Sequence, residues 1–373
     1  MKFMFFNCRS LVSADLSNLN TEKVLDMESM FHFCTSLEFL DLSSFNTTNV
    51  VNMKNMFNGC ISLKSITQNF DGKNVEYIQS MFEDCHSLIS LNLSNFNAKK
   101  IVKMDSIFSK CYSLTSIDLS SFNSTLVEDM KFLFFECKSL KNINLSNFKT
   151  DNTIYMRGMF YRCFSLTFLK ITSFNGERVR DASFMFESCY SLTSIYLSNF
   201  TLENVNFISI MFRSCSSLKS INVSFLLSPY IYEMDDIFNN CSSLEYIDLS
   251  DLIAENVYNM DKMFSNCYSL KSINFSDFKT KSLYNMKEML SNCISLTSID
   301  LSDFVVEKVK NMDKMFYNCS NLTYVNISSF QTSLEPIYLF NKLPLHGEIV
   351  VKSDFFDKKK NQIPESWNKT LKD

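Results

Sequence analysis

Residues 111–137 read CYSLTSIDLSSFNSTLVEDMKFLFFEC, and this stretch decides the fold because its pattern recurs along the chain. The 13 cysteines form one series with a constant spacing, and a single step between two of them is shorter by one position. A fixed period of about 26 residues is typical of a solenoid, in which each repeat is one supersecondary unit that cannot bury its apolar face alone. The series consists of Cys8, Cys34, Cys60, Cys85, Cys111, Cys137, Cys163, Cys189, Cys215, Cys241, Cys267, Cys293 and Cys319.

The first part of the repeat predicts a short strand. Intervals of three and two residues separate Leu114, Ile117 and Leu119, and the last pair alternates about the polar Asp118. Such alternation sends successive side chains to opposite faces of a strand.

The second part of the repeat has a different period. Steps of three, three, one and three residues separate Val127, Met130, Leu133, Phe134 and Cys137. This spacing is that of one face of a helical turn, and it therefore predicts a short helix or 3₁₀ segment.

Stacked repeats of this kind form one continuous core and a ladder of parallel strands. The predicted fold class is an α/β repeat, a right-handed solenoid of the leucine-rich-repeat type with one short parallel β-strand and one short helix or 3₁₀ segment per coil. We expect about 13 coils over residues 1–330 and a C-terminal cap over residues 331–373, which contain the only tryptophan. The first eight residues fit the second half of a repeat, so the N-terminus is expected to be truncated in mid-repeat.

The short step of the series lies between Cys60 and Cys85. There, Ile66–Phe70 replaces the pattern seen at Ile117–Phe122, and one strand residue is expected to be missing. Two interpretations follow, namely a local break in the strand ladder or an irregularity that is shaped by a ligand.

Composition and charge argue against several classes of function. The net charge is −4, from 36 basic and 40 acidic residues that are spread along the chain, which disfavours binding of nucleic acid. The chain contains no apolar run that is long enough to span a membrane, and its first eight residues lack a signal core. Neither membrane insertion nor a leader is therefore predicted for this chain.

The cysteines and histidines do not predict a metal or catalytic site. Zinc sites need several converging ligands, often in CxxC spacing, whereas the two cysteines closest in sequence here are Cys60 and Cys85. The histidines His32, His86 and His346 share no column of the repeat, so no Cys/His nucleophilic pair is expected. We predict no catalytic residues, no metal ligands and no cofactor. The cysteine column is predicted to be a ladder of buried free thiols, because its parallel side chains have poor disulfide geometry.

The polar position between two buried strand residues is predicted to be exposed on the opposite, concave face of the ladder. It is mostly Asn or Asp, with serine-rich columns on either side, which also fits a solvated sheet with hydrogen bonds between coils. Binding is expected where large residues replace these small ones, at this position or beside it, since exposed aromatic residues are favoured anchors of interfaces. The candidate ligand-binding residues are Phe39, Phe168, Lys170, Tyr196, Tyr246 and Tyr324. Of these, Phe168, Lys170 and Tyr196 occupy adjacent coils and form the best cluster.

The repeat resembles that of the BspA-like leucine-rich surface proteins. The resemblance is carried by units such as Met263–Leu270 (MFSNCYSL) and Leu42–Thr47 (LSSFNT), and it covers nearly the whole chain up to Phe330. It implies a non-enzymatic binding or adhesion module at a cell surface or in secreted form, with a protein or a glycan as its partner. The alternative is a cytoplasmic scaffold for protein–protein interaction, which the unpaired cysteines favour because oxidising compartments select against many free thiols.

Overall fold

The structure is a computed structural model that describes residues 1–197, 200–330 and 336–372. These residues form two compact units, of which the first is Met1–Asp181 with Ser188–Phe200 and the second is Ala182–Glu187 with Thr201–Asp373. Within each unit, coils of about 26 residues pair in parallel with the coil that follows. The predicted solenoid of the leucine-rich-repeat type is confirmed.

Short strands lie on one side of the coils. Those of the first unit are β1 (Phe39–Leu42), β2 (Ser65–Gln68), β3 (Ser116–Asp118), β4 (Asn142–Asn144), β5 (Phe168–Lys170) and β6 (Ser194–Tyr196). They form the parallel pairs β1–β2, β3–β4 and β5–β6. Those of the second unit are β7 (Tyr246–Asp248), β8 (Ser272–Asn274), β9 (Ser298–Asp300), β10 (Tyr324–Ile327), β11 (Glu348–Lys352) and β12 (Asn368–Lys372). There, β7 pairs with β8, and the other four form a parallel sheet in the order β9–β10–β11–β12.

A second parallel ladder, made of isolated bridges, runs along the other part of each coil. In the first unit it passes through Tyr77, Lys103, Asp129 and Tyr155. The side chains of Tyr77, Lys103 and Tyr155 are exposed. We call this row the second ladder.

The segment that was predicted to be a helix or 3₁₀ segment is a row of hydrogen-bonded turns, and this part of the prediction is wrong. In the coil that ends at Cys60, the N–H groups of Met53, Asn55, Phe57 and Gly59 donate to carbonyls of the next coil at 2.8 to 3.0 Å. The N–H groups of Met56, Asn58 and Cys60 donate to the residue three positions earlier in their own coil, as from Cys60 to Phe57 at 3.0 Å. Among the described residues, the one helix is α1 (Ser353–Lys359).

The backbone angles explain why a helix does not form. Asn55 and Gly59 have φ values of 56° and 75°, in the left-handed region, and the equivalent residues of most coils do the same. A left-handed residue interrupts a right-handed helix after one turn. Two successive turns of this kind still return the side chains of Met53, Phe57 and Cys60 to the core, which is why their spacing imitates a helix.

The core consists of columns of equivalent side chains. Phenylalanine rings of neighbouring coils stack almost parallel, with centroids 5.6 Å apart and an interplanar angle of 3° between Phe31 and Phe57. In the second unit, the rings of Phe212 and Phe238 are 5.6 Å apart. The Met, Val and Leu columns around them are equally buried. Burial of these columns is the main stabilising contribution of the fold.

The cysteine column is a ladder of free thiols, as predicted. All are buried except Cys8, and each buried thiol donates a hydrogen bond to a backbone carbonyl of the preceding coil, as from Cys163 Sγ to Phe134 O at 3.2 Å. Burial raises the pKa of Cys34 to about 11 and that of Cys241 to about 12. These thiols are therefore neutral and unreactive in the folded protein.

The short repeat differs from the expectation. Strand β2 is complete and in register with β1, from Phe39 opposite Ser65 to Leu42 opposite Gln68, so no strand residue is missing. The missing residue belongs to the turn that follows. There, the side chain of Gln68 accepts a hydrogen bond from the N–H of Phe70 at 2.7 Å, which closes a shorter turn. Phe70 keeps its buried position.

The C-terminal residues continue the sheet. Strands β11 and β12 extend the ladder beyond β10, and helix α1 lies between them in sequence. Trp367 is buried, and its Nε1–H donates to the carbonyl of Pro344 at 2.9 Å. Residues 331–335 of the predicted cap lie outside the described residues, and the role of residues 331–373 as a cap stays a prediction.

Candidate functional site

The polar column of the strand face has a structural role wherever it is Asp or Asn. The N–H of Ser120 donates to Oδ1 of Asp118 at 2.8 Å, and the same bond joins Ser146 to Asn144 at 3.1 Å. These bonds close the turn that ends each strand. Hydrogen bonds from the hydroxyl and the backbone of Ser120 hold the pKa of the Asp118 carboxyl below its usual range, so it is ionised at neutral pH.

Lys170 and Tyr196 replace this residue type in two adjacent coils, where they lie opposite each other on β5 and β6. Phe168 stands two residues before Lys170 on the same strand face. The rings of Phe168 and Tyr196 are 5.2 Å apart at an angle of 54°, and 47% and 54% of these side chains are exposed. The structure therefore brings the three residues of the predicted cluster together.

A groove of about 360 Å³ adjoins this cluster. It crosses the strands β3, β4 and β5. Its polar and aromatic lining consists of Ser116, Asp118, Lys141, Asn142, Asn144, Phe168 and Lys170. We call it the strand groove. Both lysines are exposed, and neither forms an ion pair with any residue that the structure describes.

Lys141 is a groove residue that the sequence-based prediction missed. At two other places in its column, an acidic and a basic residue of adjacent coils pair with each other, namely Glu38 with Lys64 at 2.7 Å and Glu245 with Lys271 at 2.6 Å. The neighbours of Lys141 in the column are Thr115 and Thr167, which carry no charge. The signal was thus present in the sequence as an interruption of this pairing.

The other predicted residues do not join the cluster. Phe39 on β1 lies beneath the ammonium of Lys64, which is 5.4 Å from the ring centroid. Tyr246 and Tyr324 belong to the second unit, on β7 and β10. The hydroxyl of Tyr246 donates to Asp248 at 3.3 Å, and Tyr324 is half-buried.

Further aromatic residues, which are half-buried or exposed, follow the cysteines of the first unit. The rings of His86 and Tyr112 stack at 4.4 Å, and the ammonium of Lys138 lies 3.9 Å from the centre of Tyr112. Phe164 and Tyr190 stack at 5.0 Å. These side chains cover one another's faces, and a run of large residues in a single column was the signal that could have identified them.

Metal sites need converging ligands, and membrane spans need long apolar helices. Over residues 1–197, 200–330 and 336–372, no group of three or more His, Cys, Asp or Glu side chains is placed to hold a metal ion. No helix in these ranges is long and apolar enough to cross a membrane.

The sequence matches a protein family over residues 1–117, 102–225 and 232–337, and this family is described as "Mycoplasma protein of unknown function, DUF285". No curated protein matches the chain. Among solved structures, it is similar to a leucine-rich cell surface protein from Faecalibacterium prausnitzii A2-165, with 17% identity and a TM-score of 0.39 over 90% of this chain and 79% of that one.

Two further similar structures are also leucine-rich repeat proteins. The one from Eubacterium ventriosum has 15% identity and a TM-score of 0.34 over 83% of either chain. The one from T. pallidum has 21% identity and a TM-score of 0.34 over 49% of this chain and 78% of that one. The family match covers most of the sequence and agrees with the repeat, so the chain belongs to the DUF285 family of proteins with BspA-like leucine-rich repeats.

Proposed function

We propose that this chain is a non-catalytic binding module that presents the strand face of its first unit to a protein partner. A leucine-rich-type solenoid suits protein interaction because its stacked strands offer a continuous, rigid surface. The observation that carries the proposal is the exposed ring pair of Phe168 and Tyr196 beside Lys170. In this part of the face, the small turn-closing residues are replaced by large ones.

The energetic argument concerns what burial of these rings would contribute. Large aromatic side chains contribute strongly to binding when a partner covers them, and they lose little conformational entropy because they have few rotatable bonds. Phe168 and Tyr196 are about half exposed in the free chain, so a partner still has much of their apolar surface to remove from water.

The test is a triple variant, Phe168→Ala with Lys170→Ala and Tyr196→Ala. The matched control is Tyr77→Ala with Lys103→Ala and Tyr155→Ala, which removes two exposed aromatic residues and one lysine from the second ladder of the same unit. Partners are first identified with the wild-type chain on host-protein and glycan arrays. We expect the strand-face variant to weaken binding about tenfold or more and the control to bind normally. Equal losses from both variants would contradict the proposal.

We also propose that the module acts at a cell surface in adhesion, with a glycan as the alternative class of partner. The family's leucine-rich repeats and the resemblance to BspA-like surface proteins support this location. Labelling of intact cells with a reagent that does not cross membranes tests it. Labelling of the chain only after lysis would favour the intracellular scaffold, which the free thiols support.

A further inference from the structure

We infer that the segment which occupies the strand groove is an acidic stretch of polypeptide. The inference rests on the proposed function of the strand face and adds the chemistry of the partner. It is carried by the charges of the groove, by their lack of partners and by the geometry of the neighbouring rings.

Lys141 is the first of two unneutralised charges. Two other lysines of the same column are neutralised within the chain, since Lys64 pairs with Glu38 at 2.7 Å and Lys271 pairs with Glu245 at 2.6 Å. At Lys141 the adjacent coils supply Thr115 instead of an acid, and the N–H of Lys141 donates to the carbonyl of Thr115 at 2.9 Å. The charge of this lysine is thus available to an external acid.

Lys170 is the second such charge, and it stands on β5 at the other end of the groove lining. Its register partner is the phenol side chain of Tyr196, not Asp or Glu. Lys141 and Lys170 therefore form a local basic site on a chain whose net charge is −4. Local charges of this kind select and steer an oppositely charged partner.

Asp118 is the carboxylate of the groove, and its bonds explain why it does not neutralise the lysines. Its Oδ1 accepts the N–H of Ser120 at 2.8 Å, and the amide of Asn144 also bonds to the carboxylate. The groove lining thus contains two lysines and one carboxylate, and that carboxylate is already bound by neutral donors. An acidic ligand is favoured at the lysines and disfavoured directly over Asp118.

The form of the site favours a polypeptide over a sugar chain. The rings of Phe168 and Tyr196 lie 5.2 Å apart at 54°, so each covers part of the other's face. A sugar that stacks on a ring needs an open face, whereas an apolar side chain can pack against the exposed edges. The groove crosses three neighbouring strands, which corresponds to about 10 Å at the usual strand spacing. An extended segment with alternating acidic and apolar side chains fits this arrangement.

The experiment uses the full chain and three defined probes. These are a labelled peptide of alternating Glu and Phe, a matched peptide of alternating Gln and Phe, and a labelled heparin fragment as a sulfated glycan. Binding is measured by fluorescence anisotropy at about 0.02 M and about 0.5 M salt. We expect the Glu peptide to bind about tenfold more tightly than the Gln peptide at low salt and to lose this advantage at high salt.

Substitutions locate the effect. Lys141→Ala and Lys170→Ala are each expected to weaken binding of the Glu peptide about fivefold and to leave the Gln peptide unchanged. Lys141→Arg should restore binding, because it restores the charge. Lys271→Ala is the matched control, since it removes a lysine of the same column whose charge Glu245 already neutralises. A thermal melt of each variant verifies that it is folded.

Four results would overturn the inference. Equal binding of the two peptides, or no effect of Lys141→Ala, would show that charge does not select the partner. Weaker partner binding after substitution of Phe168 and Tyr196 would still support the proposed function in that case. Tightest binding of heparin would assign the groove to an acidic glycan. Binding of no probe to the wild-type chain would reject the acidic segment, and the array experiment would then decide the proposed function separately.

Discussion

Each buried side chain of the cysteine column meets two requirements of a stacked core, namely full burial and a hydrogen bond to a neighbouring coil. A thiol is small and apolar enough to be fully buried, and its S–H is a weak donor that can reach one more carbonyl. The bonds from Cys60 to Phe31 O and from Cys319 to Leu290 O, both 3.1 Å, show that this geometry holds in both units and is independent of the aromatic ring. A serine would bury a more strongly polar group at the same place.

Asp105 provides a test of electrostatics at a single residue. Desolvation, and then the neighbouring charge of Asp129, raises the pKa of its carboxyl. A raised pKa in the folded state means that the charged form of Asp105 destabilises the fold. The carboxyl is least harmful to stability below its unfolded pKa, where it is protonated, and it destabilises the fold as the pH rises above that value. We expect Asp105→Asn to raise the Tm by roughly 1–2 °C at pH 7 and the gain to disappear below about pH 4.

The control for this prediction is Asp118→Asn, whose carboxyl has a lowered pKa. The stability that it contributes is present above the unfolded pKa and is lost as pH falls through the folded pKa, so the sign is reversed. Asn already fills this column at Asn92 and Asn144, and no gain in Tm is expected at pH 7. Thermal melts between about pH 3 and pH 8 measure both variants. A gain for Asp105→Asn that grows on acidification would refute the prediction.

At the site, the sequence was sufficient to predict exposure but not partners. The period placed Phe168, Lys170 and Tyr196 on one face, and in the structure the rings of Phe168 and Tyr196 are in contact while Lys170 lies opposite Tyr196. The free charge of Lys141 depends on which side chains pair across coils. Those pairs follow from distances of about one strand spacing, which become known only once the register is fixed.

At the scale of the element, the turn segment shows where a periodic pattern is ambiguous. Apolar residues at steps of three and four are compatible with a helix and equally with two linked turns. What separates these alternatives is the left-handed φ of Asn55 and its equivalents, together with hydrogen bonds to the next coil. Such bonds are long-range in sequence, so the local pattern could not predict them.

Gly158 tests how these turns pack. It has a φ of 58°, and a Cβ built on it would be 2.6 Å from the ring of Phe132, its equivalent in the preceding coil. Because Phe132 itself has a φ of 56°, the left-handed angle is tolerated in this column and the ring is the main obstacle. We expect Gly158→Ala to destabilise the chain by about 1–3 kcal/mol, measured by denaturant unfolding.

Two further variants separate strain from overpacking. In the double variant with Phe132→Ala, the ring is gone and about 1 kcal/mol of the loss at Gly158 should be recovered. Ser106 occupies the equivalent position one coil before Phe132 and has a φ of 58°. Ser106→Ala should change the free energy of unfolding by less than about 0.5 kcal/mol. Additive losses at Gly158 and Phe132 would show that the left-handed angle, and not the ring, is responsible.

The short repeat shows a second limit of prediction from the sequence. The step from Cys60 to Cys85 is one residue shorter than the other steps of the cysteine series. The spacing alone does not show whether the strand or the turn is the shorter part. The strand keeps its register because a shift by one residue would exchange its buried and exposed faces. The turn can shorten because the side chain of Gln68 supplies the acceptor for the N–H of Phe70.

At the scale of the whole molecule, stability resides in contacts between neighbouring coils. Each coil contributes the same columns to the core and contacts mainly the coils beside it, so the free energy of unfolding is approximately a sum over coils and their interfaces. The buried columns and the exposed strand face are therefore under different constraints. A change in a buried column affects every interface that it touches, whereas a change on the strand face alters only what a partner meets.

This additivity predicts that a complete coil can be removed. Deletion of His86–Cys111, which is one full period of the repeat, joins Cys85 directly to Tyr112 and keeps every later column in register. We expect a folded chain with a somewhat lower Tm, because one coil and one interface are lost. Its thiols should be one fewer than the 13 of the wild type after denaturation, with only the exposed Cys8 reactive in the native state.

The matched comparison is deletion of His86–Ile107, which removes fewer residues. It places Phe108 directly after Cys85, in the position that His86 occupies in the wild type and Tyr112 occupies in the first deletion. All later columns are then four positions out of register with the coils before them, and their apolar faces no longer stack on one another. If stability depended on the length of the chain alone, this smaller deletion would be the milder one. Because it depends on matched columns, we expect the smaller deletion to broaden the thermal transition and to make buried thiols reactive without denaturant. Equal melts and equal native thiol counts for the two deletions would contradict the additive description.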